Sequence, residues 1–113
     1  MKRDVRLYLD DILECVEKIQ EYTKGINEEQ FARNTLMQDA VLRRLEIIGE
    51  AVKHIPKQMR DRHPEIPWQD VAGTRDILIQ KYFGVRLQNA WKIVQEDLDA
   101  LKANVNKMIE DLS

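Results

Sequence analysis

Apolar residues recur along this chain at steps of three and four, with no stretch that alternates at steps of two. Val5, Leu9, Ile12, Val16 and Ile19 form one stripe, widened by Tyr8 and Leu13, while Asp10, Asp11, Glu14, Glu17, Lys18 and Glu21 fill the opposite face. That period marks one side of an α-helix. It predicts a helix over about 3–23, ended by Gly25. A short helical turn is expected over 28–33, with Asn27 as its N-cap. Leu36, Ala40, Val41, Leu45, Ile48, Ala51 and Val52 predict a second long helix over about 35–53. Pro56 closes it, because the residue before a proline is pushed out of the α region. Another short turn is expected over 56–62, and Pro64 and Pro67 bracket a constrained connection. Pro67 suits the first position of a further helix running through Trp68 to about Lys81, and Gly84 reads as the turn into the last helix.

In that last helix Leu87, Trp91, Val94, Leu98, Leu101, Val105, Met108 and Leu112 alternate steps of four and three, a 3.5-residue period suited to a bundle seam. Ile93 and Ile109 lie off the seam, flanked by Ala90 and Ala100. They mark either a wide core face or a second apolar contact such as a homodimer interface. Trp68 and Trp91 are expected in the core. The pattern as a whole predicts an all-α bundle forming one domain over residues 1–113.

Composition narrows the partners. A net charge of −2 gives no global attraction to nucleic acid or to an anionic membrane, so any RNA contact must be local. Lys53, His54, Lys57, Arg60, Arg62 and His63 form a basic stretch offset by Asp61, and with Arg43, Arg44, Arg75 and Lys81 it could line an RNA cleft. A solvated charged face is the plainer reading. The two histidines, His54 and His63, are expected to be solvated at a helix end and in a loop. One cysteine, Cys15, fits a reducing compartment. No apolar run approaches the roughly 20 residues of a membrane span, and Met-Lys-Arg-Asp-Val-Arg leads into no signal-like core. The expected location is cytoplasmic. Glu46 and Glu50 share a helix face, yet two carboxylates without a nearby histidine suit ion pairs with Arg43 and Lys53 better than a metal.

The densest chemistry lies in Arg75-Asp76-Ile77-Leu78-Ile79-Gln80-Lys81-Tyr82. On a regular helix Arg75 and Gln80 point about 140° apart, so they converge only if the helix breaks or if two copies face each other. Asp76 and Gln80, four apart, can hydrogen-bond on one face. Gly73 in a helix costs roughly 1 kcal/mol relative to Ala, a cost that close approach of a backbone or phosphate would explain.

The segment resembles the Arg-x4-His-x-Tyr signature of the HepT-type HEPN ribonuclease toxins, with Gln80 at the His position. Its lead-in Ile66-Pro67-Trp68, its exit Tyr82-Phe83-Gly84-Val85, and the stretch Arg43-Arg44-Leu45-Glu46-Ile47-Ile48-Gly49-Glu50-Ala51 resemble the same family. The resemblance implies a HEPN-type antiparallel helical bundle, homodimeric, cleaving RNA without metal or cofactor where two motifs meet. It implies a nucleotidyltransferase antitoxin of the MNT type, which attaches AMP to the tyrosine, and neither a DNA nor a membrane partner. Carried over, the catalytic positions are Arg75 and Gln80 and Tyr82 is the modified residue; Asp76, by its spacing from Gln80, is a supporting one. Metal-free cleavage uses the RNA 2′-hydroxyl as nucleophile, an imidazole to move its proton and a guanidinium to hold the phosphate. An amide has no useful pKa, so Gln80 cannot transfer the proton. Gln80 is either natural, marking a binding-only member, or a substitution made to silence a toxic protein.

Overall fold

The computed structural model describes residues 4–66, 68–69 and 83–112, with side chains of the last stretch described from residue 87 onward. The first three helices begin where the sequence supplies a cap. The Asp4 carboxylate accepts the Arg6 amide at 3.0 Å and opens α1, Val5–Thr23. Gly25, at φ +76°, turns the chain out of α1, and no other group lies within 4 Å of where a side chain would begin. Asn27 then forms a reciprocal capping box with Gln30, at 2.8 and 2.9 Å, opening α2, Glu28–Arg33. Asn34 serves both the end of α2 and the start of α3, Thr35–Lys53, where its side chain accepts the Met37 amide at 3.0 Å. The buried Gln38 amide donates to the Phe31 and Ala32 carbonyls, each at 2.9 Å, satisfying the end of α2 from the side.

Pro56 precedes α4, Lys57–Asp61. Trp68 and Gln69 are helical, as expected beyond Pro67. The last seam differs from the single rod its period predicts. It forms α5, Phe83–Glu96, and α6, Leu98–Asp111, which meet at Asp97. The backbone ladder crosses that joint, since the Asp97 amide donates to the Ile93 carbonyl and the Leu101 amide to the Asp97 carbonyl, both at 3.0 Å. Asp97 itself is displaced to φ −108°, enough to divide the helix. Because α5 starts at Phe83, Gly84 lies inside its first turn and is not a turn before it.

α1 packs along α3, and α6 covers the other side of α1. The pairings run antiparallel: Tyr8 and Cys15 of α1 meet His54 and Arg44 of α3, while Gln20 near the end of α1 hydrogen-bonds Asp99 at the start of α6. The stripes read from sequence form the core, with Leu9, Ile12, Val16, Ile19, Val41, Val52 and Val105 fully buried, except that Leu36 in the first turn of α3 stands 82% exposed. Each such aliphatic side chain contributes about 1.5–3 kcal/mol by leaving water. Phe31 of α2 closes one end against Trp91 of α5, ring centroids 5.1 Å apart. Ile93 and Ile109 are half-buried edges of this same core, which favours the wide-face explanation among the described residues. Leu112 lies just past α6 and is exposed, so the seam ends at Met108. No helix among the described residues is long and apolar enough to cross a membrane.

Candidate functional site

The face of α3 that carries Arg43, Glu46, Glu50 and His54 turns toward α1, where Tyr8 and Asp11 complete a groove of about 240 Å³ over Ile47 and Ala51. His54 caps the end of α3 and its ring stacks flat on Tyr8, centroids 4.4 Å apart and planes 6° from parallel. The ring is exposed, as the sequence predicts, but stacked. Arg43 pairs with Glu46 at 3.7 Å, also as predicted. Three carboxylates against one guanidinium and one imidazole make the groove a poor place for a phosphate. Among the described residues no cluster of His, Cys, Asp or Glu could hold a metal.

The other histidine departs from expectation. His63 is buried at 7% exposure, because the chain after α4 folds back against α6. Its Nδ1 lies 3.1 Å from Oδ1 of the buried Asn104. The Asn104 amide nitrogen donates to the Ala100 carbonyl at 2.9 Å, so its oxygen is the atom turned to His63 and the imidazole must donate. Trp68 is tied beside it, its indole N–H shared between the carbonyls of Arg60 and His63, both at 3.0 Å. Of the basic stretch, Lys53, Lys57 and Arg62 are exposed and Arg60 is half-buried. Lys57 pairs with Asp61 at 3.9 Å. Arg44 reaches Glu14 at 4.0 Å and Cys15 Sγ at 3.9 Å, placing it against α1 instead of in a cleft with Arg43. Burial pushes the Cys15 thiol above its ordinary pKa, and the Arg44 contact offsets only part of that.

Arg75, Asp76, Gln80 and Tyr82, with Gly73 and Lys81, lie outside the described residues. The described chain brackets them between the buried pair Ile66 and Trp68 and the start of α5. Asn104 and Tyr8 escaped the sequence reading as partners of the two histidines, since nothing local marks either. The family model described as Ribonuclease HepT-like matches residues 12–108. This chain belongs to the HepT-like ribonuclease family. A Thermococcus cleftensis protein named Probable ribonuclease HepT is 48% identical over 96% of this chain and 98% of its own length. A Methanocaldococcus jannaschii protein whose name joins a gamma-glutamylcyclotransferase to an RNase assignment is 48% identical over 99% of this chain. The chain spans about half of that relative's length, 50%. No solved structure matches it.

Proposed function

We propose that this chain is the toxin of a toxin–antitoxin pair, a homodimeric endoribonuclease that needs no metal and acts in the cytoplasm. What supports the reading is the Arg75-to-Tyr82 segment, which resembles the Arg-x4-His-x-Tyr signature, in a chain that belongs to the HepT-like ribonucleases. Arg75 holds the scissile phosphate and stabilises the charge that develops on it. The 2′-hydroxyl attacks the adjacent phosphorus, the 5′-oxygen leaves, and a proton moves from the first to the second. Position 80 is where that transfer belongs, and Gln80 can only hydrogen-bond there. General acid–base help is worth about 10²–10⁴-fold, so activity here is low. Tyr82 is the residue that an MNT-type nucleotidyltransferase antitoxin modifies with AMP, Asp76 supports Gln80, and the exposed Lys53, Lys57 and Arg62 offer the local positive charge that a long RNA needs.

Cleavage of RNA in EDTA by this chain and by its Gln80→His variant tests the reading. We expect the variant to cut at least about 10²-fold faster. If neither cuts, the ribonuclease reading fails for this chain. Gln80 itself favours a second reading, a non-catalytic helical module bound and modified by its transferase. Incubation with that transferase and ATP, followed by mass spectrometry, checks it: an AMP adduct on Tyr82 without RNA cleavage supports the module.

A further inference from the structure

We infer that His63 and Asn104 are positioning residues for the ribonuclease motif: their hydrogen bond fixes the lead-in to the motif against α6. This rests on the reading that the Arg75-to-Tyr82 segment acts on RNA. Between α4 and Trp68 the chain is tied largely to itself. The His63 amide donates to the Arg60 carbonyl at 3.0 Å, the Ile66 amide to His63 at 3.2 Å, and the Trp68 amide to Ile66 at 2.9 Å. The Trp68 indole closes this knot on the carbonyls of Arg60 and His63. Such a knot holds its own shape but not its place on the bundle. Burial of Ile66 and Trp68 gives it a general seat, because apolar contact is non-directional. Orientation comes from His63 Nδ1–H donating to Asn104 Oδ1 at 3.1 Å, a contact spanning 41 residues of sequence.

The pair is built to be specific. Asn104 is 5% exposed and locked by its own bond to Ala100, so its oxygen cannot turn away, and His63 at 7% exposure has little water to replace it. The cavity beside His63, about 50 Å³ between Met59, Arg62, Met108 and Asp111, is too small for a nucleotide. That cavity is therefore not where a nucleotide would meet the histidine. Arg75 follows Trp68 by seven residues in sequence, which makes the knot the last described stretch before the motif. A displacement of about 1 Å at a reacting group costs about 10²-fold in rate.

Three variants separate positioning from mere stability. His63→Phe keeps the ring volume and loses the donor; Asn104→Leu keeps the bulk and loses the acceptor; His63→Asn keeps a donor near the Nδ1 position. Each is made in the Gln80→His protein, with single-turnover cleavage and RNA affinity measured well below its urea midpoint. We expect His63→Phe and Asn104→Leu to lower the cleavage rate about 10–10²-fold with RNA affinity unchanged, and His63→Asn to recover most of it. Parental rates in folded His63→Phe and Asn104→Leu proteins would overturn the inference, as would a loss that merely follows the unfolded fraction. Hydrogen exchange on the unaltered chain and on its His63→Phe variant gives the second readout. Peptides covering 60–69 should exchange at least about tenfold faster in the variant while α1 and α3 stay unchanged, and equal exchange would also overturn it. If Gln80→His itself does not cut, the motif reading fails, and exchange alone decides whether the latch holds the lead-in.

Discussion

The pairing of α1 with α3 and the seating of the lead-in on α6 are two ways of joining helices, and they tolerate error differently. The first spreads its energy over a stripe of aliphatic side chains, Leu9, Ile12, Val16 and Ile19 against Val41, Leu45, Ile48 and Val52. No single one of them dictates position, and sequence can drift there while volume is kept. The second concentrates its geometry in polar contacts: His63 with Asn104 ties the lead-in to α6, and the Trp68 indole on two carbonyls holds the lead-in's own shape. Such contacts give modest net stability but leave costly orphans when one partner goes. The first kind of contact secures a fold, and the second sets the orientation of the stretch it holds.

The largest effect should come from hollowing the apolar side. Ile12→Ala removes a fully buried side chain and should destabilise by about 2–5 kcal/mol, read from urea midpoints. Leu45→Met, which conserves volume at a site 2% exposed, should cost less than about 1.5 kcal/mol. On the polar side Trp68→Phe strips the donor from two carbonyls and leaves part of the indole's space empty, and should cost at least about 1–3 kcal/mol by the same measurement. If Trp68→Phe proves cheaper than Leu45→Met, the contrast drawn above is wrong. Asn27→Ala, which breaks the capping box outside both regions, should cost about 1 kcal/mol.

A smaller effect separates the two regions by pH. Burial raises the Cys15 thiol in the folded chain, so the unfolded chain ionises first as pH rises past the ordinary value of 9.0. The stability it contributes is fully present below that pH and is lost as pH climbs toward the raised folded value. Stability above pH 9.0 should fall more steeply in this chain than in Cys15→Ala, measured as urea midpoints along an alkaline series.

Local signals carried most of the fold. The start of α2 follows from Asn27, and Pro56 ends the second long helix near His54, while the Asn34 cap of α3 was found only in the structure. The ends of α1 and α3 fall where the stripes stop. The break at Asp97 was not legible, because the 3.5-residue seam runs through it without a proline or glycine. Nor was the burial of His63. A histidine between Arg62 and Pro64 looks solvated until a partner 41 positions away is known, and periodicity says nothing about such pairs. Arg75, Asp76, Gln80 and Tyr82 were singled out by family likeness, which supplies residue identity without geometry.

Gly25 carries a consequence of handedness. Beyond its chain neighbours nothing lies within 4 Å of where an L side chain would begin, so size is not what reserves this position for glycine; its φ of +76° is. An ordinary alanine there would fit and still be strained, by roughly 1–2 kcal/mol. Its mirror image would not. A chain made by chemical synthesis with D-alanine at position 25 should fold to the same bundle and be more stable by about 0.4–1 kcal/mol, since the substitution narrows only the unfolded chain's choices. The bend between α1 and α2 therefore selects for chirality and not for smallness.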